Sequence, residues 1–351
     1  MTYGPGVIFF NHHGINGWII YMTKVFFSTA DQINQQKLRG LQITDDAETR
    51  RIIEFENYYK LFNGYKDMFL DKSNEGIAER YLSGTRFEEI YALYLFDREL
   101  RNIFIRYILE IENHVKSILA HDFSGKYGHD NYLKVANFNT TLKPREQKTV
   151  AQKVGEVSDL ISNLQHEIAR QLAKNNPMIS HYMLKYGYVP LWVLVNTLTL
   201  GTISTFYSHL TQKDQNDIGR AFQLKPDEMI NILQVLSIYR NACAHDERLY
   251  NLKSLRRNLA PNSISTMPLH QELKIPVNKG NNPICGKNDL FAIVIIFKTM
   301  LSKESFEAFF QALDMQIQTL SSRLTTITAA DIEKEMGFIP NWRDIRYLGL
   351  L

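Results

Sequence analysis

Apolar and polar positions alternate with a helical period over most of the chain, and turn or capping residues punctuate the pattern. Asp31 to Leu38 reads as a short helix stopped at Gly40, and Asp45 or Asp46 caps a second one through Ile52, Ile53 and Phe55. The aromatic stretch Asn57 to Tyr65 ends on an Asn-Gly turn signal, and its rings are expected mainly in the core. Thr85 and Glu88 have the spacing of a capping box. Behind them Phe87, Ile90, Tyr91, Tyr94, Leu100, Phe104, Ile108 and Ile111 recur at steps of three and four, which predicts one long helix to about Leu119. Pro144 opens another through Leu172, ending before Asn175-Asn176-Pro177. Thr211 with Asp214 starts a short helix. Pro226, followed by Asp227 and Glu228, begins a helix that buries Met229, Ile232, Leu233, Leu236 and Tyr239 and leads into Arg240. Asp289 to Leu301, Lys303 to Leu324 and Thr328 to Met336 complete the series.

Strand-like alternation is scarce and no internal repeat is visible, so the expected class is all-α, a helical bundle with embellishments at both ends. One helical domain is expected over residues 31–351, interrupted by an irregular Pro-, Asn- and Ser-rich insertion at 258–288. Residues 1–30 read as an N-terminal arm, and Met22 as an alternative start to Met1. Tyr186 to Gln212 carries no Asp, Glu, Lys or Arg and is long enough to span a bilayer. Pro190, Asn196, Gly201 and His209 argue instead for a buried helix, or for two meeting near Gly201. No membrane partner is therefore expected, and the first segment lacks the basic start and cleavage site of a signal peptide.

Composition changes this picture little. At 44% hydrophobic and 22% charged, the 351 residues supply ample core, and a net charge of +3 permits nucleic-acid binding without requiring it. The two cysteines, Cys243 and Cys285, suit reduced thiols and a cytoplasmic location, and no paired Cys/His spacing suggests a metal site. Phosphate-binding loops, dinucleotide fingerprints, His-Glu-x-x-His and Gly-x-Ser-x-Gly are all missing, so no cofactor is expected.

The remaining candidates for chemistry lie in Arg240-Asn241-Ala242-Cys243-Ala244-His245. RNA carries its own nucleophile, the 2′-hydroxyl, so a metal-free ribonuclease needs only a proton carrier and a stabiliser of phosphorane charge. Histidine and arginine suit those two tasks. The spacing alone decides little, because an Arg followed at this distance by a His arises by chance on the order of once per chain of such composition. Five helical steps turn the chain by about 140° and raise it roughly 7.5 Å, so the two side chains do not share a face of an ideal helix. Either the helix ends near His245 or the site combines residues of two subunits. A surface arginine beside a packed histidine is the plain structural alternative. Glu112 and Lys116, four apart, can pair on one helix face.

The hexapeptide, with Arg248-Leu249 and Asn251 after it, resembles the motif of Abi-like abortive-infection proteins of the AbiD and AbiF kind, within the HEPN ribonuclease superfamily. Further resemblance lies in Leu38-Arg39-Gly40-Leu41, Asn57-Tyr58-Tyr59 with Gly64-Tyr65, Leu93-Tyr94-Leu95-Phe96-Asp97 with Leu100-Arg101, and Ile111-Glu112 to Lys116. It continues in Trp192, Gly201 and Tyr207 and in Met336-Gly337-Phe338-Ile339-Pro340-Asn341-Trp342, spanning about Gln32 to Arg343. The resemblance implies a HEPN-type bundle that dimerises and cuts RNA without metal in anti-phage defence, toxin-like, with Arg240 and His245 catalytic and Asn241 orienting them. Glu112, Lys116 and Arg248 become candidates for lining the cleft. The implied partners are RNA, as substrate or as a regulatory small RNA, and a second copy of the chain. The alternative is a non-catalytic member that holds a structured RNA in the same cleft.

Overall fold

The computed structural model describes residues 26–74, 79–142, 147–256 and 260–349. Among them are fourteen α-helices and no β-sheet, as the periodicity predicts. The expectations for the arm before Phe26, including the start at Met22, lie outside the described residues, as does Pro144.

Three short helices open the fold: α1 (Thr29–Leu38), α2 (Asp46–Glu56) and α3 (Tyr58–Tyr65). Ser28 caps α1, and the Asp45 carboxylate accepts from the Ala47 and Glu48 N–H groups at the start of α2. Asn63-Gly64 does not make a turn, because both residues continue α3. The break falls earlier, at Asn57, whose φ of 69° ends α2 and whose side chain caps α3.

The 41-residue α4 (Phe87–Tyr127) is the axis of the molecule, roughly 60 Å long at 1.5 Å per residue. Its start is fixed differently from the Thr85/Glu88 expectation. Glu89 accepts from the Arg86 N–H, while the Thr85 hydroxyl donates to the Leu82 carbonyl. It also runs eight residues past Leu119, because Phe123 packs on Phe138 and Phe206 and Tyr127 packs on Phe123 before Gly128 ends it.

Next come α5 (Val150–Ala173), capped by Thr149, and α6 (Pro177–Tyr186), capped by Asn176. The uncharged run resolves into α7 (Leu191–Leu194) with a 3-10 turn, then α8 (Leu200–His209). Among the described residues no helix is long and apolar enough to cross a membrane. Then α9 (Gln212–Arg220), capped by Thr211, precedes α10 (Pro226–Ala244). The described part of the insertion, residues 260–288, is mostly irregular and holds one five-residue helix, α11 (Pro268–Glu272).

The last layer is α12 (Leu290–Met300), α13 (Lys303–Ser321) and α14 (Ala329–Glu335). Every side chain from Leu290 to Phe297 is buried, as a helix apolar on all faces requires. Phe104 and Tyr107 of α4, Phe297 of α12 and Phe309 of α13 pack edge-to-face or tilted at 4.8–6.2 Å between centroids. Buried apolar residues from Ile33 to Ile345 join in one continuous core. Helix α10 lies antiparallel to α4: Arg240 meets Glu112, and Asp246, beyond the helix end, meets Arg101.

Candidate functional site

The site forms where α10 runs out. Ala244 is the last helical residue, and His245 is the C-cap with φ −101° and ψ 12°. Its N–H still donates to the Asn241 carbonyl at 2.9 Å. Asp246 then takes φ +56°, a left-handed turn that ends the helix. The end of the helix at His245 is one of the two arrangements that the Arg/His spacing demands. Arg240 is partly buried, whereas Asn241 and His245 are exposed. Ala242 packs inward, and burial pushes the Cys243 thiol up to about 12, so it stays protonated at neutral pH.

Arg240 is held from α4. Its Nε lies 3.6 Å from Glu112 Oε2, within ion-pair reach but beyond hydrogen-bond length. Neither atom has a hydrogen-bond partner among the described residues. The other Glu112 oxygen accepts from Lys116 Nζ at 2.6 Å. Glu112 and Lys116 are only 3% and 7% exposed, so this carboxylate is desolvated, hydrogen-bonded to Lys116 and within ion-pair reach of Arg240. The predicted i,i+4 pair is thus present and buried, and it reaches the catalytic candidate. On its other side Lys116 lines an open cleft of about 750 Å³ between α4 and α7.

A second buried network fixes the chain just after His245. Asp97 is fully buried and accepts four donors: Tyr65 Oη at 2.7 Å, Arg101 Nη1 at 2.7 Å, and the N–H groups of Leu249 and Tyr250. Burial pushes its carboxyl up, against the pull of those donors. Arg101 Nη2 also reaches Asp246 Oδ1 at 2.5 Å, and Lys60 binds the other Asp246 oxygen. Burial opposes the charge on Asp246, yet Lys60 and Arg101 outweigh it and hold this carboxyl below its usual range. Arg248 Nη1 donates to the Gly64 carbonyl at 2.5 Å, and its Cζ lies 6.0 Å from the Tyr250 ring centroid, tying the turn to the end of α3. The sequence marks Leu93 to Asp97 and Arg101 only through a resemblance. That they anchor the α10 exit follows from a contact 152 residues apart, which no local pattern reveals.

The His245 ring makes no hydrogen bond or ion pair among the described residues, and no group of three or more His, Cys, Asp or Glu is placed to hold a metal there or elsewhere among them. Residues 51–251, more than half of the chain, match the family described as Abi-like protein. The chain belongs to the Abi-like protein family. The match contains the Arg240 to His245 segment, Glu112, Lys116, Arg248, and the Asp97 and Arg101 network. It stops short of the Leu38 to Leu41 and Met336 to Trp342 segments, so it is narrower than the span of the sequence resemblance. No curated protein and no solved structure matches the chain.

Proposed function

We propose that this Abi-like protein is a metal-independent endoribonuclease of anti-phage defence, of the HEPN type. The observation that carries the reading is the arrangement at the end of α10: an arginine anchored through Nε by buried Glu112, and an exposed histidine with an unengaged ring five residues on. With Nε facing Glu112, the two terminal nitrogens of Arg240 are left to present a planar pair of donors to phosphate. His245 removes the proton of a ribose 2′-hydroxyl. The 2′-oxygen bonds to the adjacent phosphorus, the phosphorane charge falls against Arg240, and the bond to the 5′-oxygen breaks. A second histidine protonates the departing 5′-oxygen. In a homodimer with two such helix ends facing one another, the partner copy supplies it. The products are a 2′,3′-cyclic phosphate and a 5′-hydroxyl. Asn241, exposed one turn before His245, orients the phosphate or the ring. A toxin-like protein of this kind works in the cytoplasm and is restrained by a partner such as a small RNA.

The test is incubation of the purified chain and of His245→Ala with total RNA in EDTA. Cutting by the first alone supports the reading. Equal cutting by both refutes the assignment of His245. Binding of a defined RNA by both with cutting by neither, even after bound RNA is stripped, refutes the enzyme and leaves a non-catalytic RNA-holding protein.

A further inference from the structure

Beside the cleft that Lys116 lines runs a continuous series of rings, of which Tyr186 and Trp192 are exposed and Tyr182, Tyr188 and His129 are partly buried. From α6, Tyr182 and Tyr186 lie 5.7 Å apart; Tyr186 and Tyr188 are 6.2 Å apart; Tyr188 and His129 are 4.5 Å apart; His129 and Trp192 are 6.4 Å apart. Tyr186 is 47% and Trp192 48% exposed, far more than the rings of the core. Trp192 forms a wall of the cleft, opposite His121, Ser124 and Lys116. Ser124 Oγ is buried with no hydrogen-bond partner among the described residues. Lys185 sits 5.2 Å from the Tyr186 ring centroid. Asp130 borders the series, with its Oδ1 3.8 Å from His129 Nε2.

Two large rings half in water within one aromatic series form a surface that a ligand with flat faces can cover. Rings interleaved with imidazoles and lysines suit a flat, π-faced, polyanionic occupant better than an apolar protein surface. Unpaired nucleotides have that chemistry, because bases stack on the rings while phosphates meet the cations. A base-paired helix does not, because its bases are already stacked on one another.

We propose that the series from Tyr182 to Trp192 is a stacking platform for single-stranded RNA, delivering the strand through the Trp192 cleft toward Arg240. The proposal rests on the ribonuclease reading for its substrate and adds which form of RNA is taken and where it binds. The strand crosses the rings, passes Ser124 and Asn196, and meets Lys116. Lys116 shares Glu112 with Arg240, so a single buried carboxylate links the cleft's lysine to the guanidinium.

The test measures binding by the full-length chain carrying His245→Ala, so that bound RNA survives. The probes are a fluorescent, unstructured RNA of about twelve nucleotides and its duplex with a complementary strand. The platform predicts that the single strand binds more tightly than the duplex. It predicts that Trp192→Ala and Tyr186→Ala each weaken single-strand binding roughly 5- to 100-fold. Trp192→Phe and Tyr186→Phe keep a stacking face and should retain most of the affinity, which separates lost stacking from lost folding. Equal binding by the alanine variants and their parent, or a duplex bound as tightly as the single strand, overturns the platform. So does the absence of RNA binding, which would assign the rings to a protein partner. The two readings fail separately: ring-to-alanine changes that leave binding normal in the His245→Ala chain and cutting normal in the chain with His245 intact sink the platform alone, whereas ring-dependent binding without cutting in the unmutated chain sinks the nuclease alone.

Discussion

Arg240 depends on a residue 128 positions away in sequence, and the consequences are testable at single side chains. Removing Glu112 alone leaves Lys116 buried without its counter-charge, so Glu112→Ala should cost about 3–5 kcal/mol of stability, read by urea unfolding. Replacing both partners, as Glu112→Met with Lys116→Met, takes both charges out of the interior and should recover most of that loss. The double variant should fold and still fail to cut RNA, because Arg240 has lost its anchor. A double variant that cuts normally would show that the anchor is irrelevant. At this scale the sequence was informative about residue types and poor about neighbours. Arg240, Asn241 and His245 stood out as a motif, and the four-residue step made Glu112 and Lys116 a pair. That the pair faces Arg240 depends on how α4 and α10 cross. The platform rings were hidden for the same reason: Tyr182 to Trp192 are close in sequence, but His129 joins them from a distant loop.

The elements that place the site are ordered by polar contacts at their ends. The α10 exit hangs on Asp97, so Asp97→Ala should cost about 3–5 kcal/mol by leaving the buried Tyr65 hydroxyl and the Leu249 and Tyr250 amides without their acceptor and Arg101 with Asp246 as its remaining carboxylate. It should also release the amides of Leu249 and Tyr250 to faster hydrogen exchange than those in the middle of α10. Equal protection of those amides in variant and parent would contradict the anchoring role. On the far side of the bundle, Gly337 ends α14 with φ +86°, and a Cβ there would lie 2.3 Å from Asp289 Cγ, the cap of α12. Gly337→Ala should therefore cost at least about 1–3 kcal/mol, measured as a lowered unfolding midpoint. Helix identities were largely legible, because period and caps are local: Asp45, Thr211, Pro226 and Thr328 act where the sequence places them. Boundaries that depend on partners were not. The last two turns of α4 persist because aromatic residues of other elements cover them, and Asn63-Gly64 stays helical because Phe62 and Tyr65 on either side are buried.

For the whole molecule, two buried histidines make stability depend on pH. Burial lowers the pKa of His209, aided by Lys153, and burial likewise lowers that of His270. The His270 Nδ1 accepts from the Met267 N–H at 3.0 Å, and its Nε2 donates to the Gly286 carbonyl at 2.8 Å, an arrangement that suits the neutral ring. Because the folded values lie below the unfolded value of about 6.5, this contribution is complete above that pH. It is lost as pH falls below it toward the folded values. The urea midpoint should drop between pH 7 and pH 5, and less so in His270→Gln, whose amide can both accept and donate. An unchanged pH slope in that variant would contradict the assignment. The shared-site reading makes its own prediction at this scale: adding His245→Ala chains to the unmutated chain should lower cutting more than dilution alone, because mixed dimers lack the second histidine, whereas a loss no greater than dilution would contradict a shared site.

The most direct measurement of the central claim compares one unstructured RNA with its fully 2′-O-methylated counterpart, each incubated in EDTA with the chain and with His245→Ala. Attack by the 2′-hydroxyl at a site served by Arg240 and His245 predicts that only the unmodified RNA is cut, only by the unmutated chain, leaving 2′,3′-cyclic phosphate ends. Cleavage of the methylated strand, or equal cleavage by His245→Ala, would contradict it.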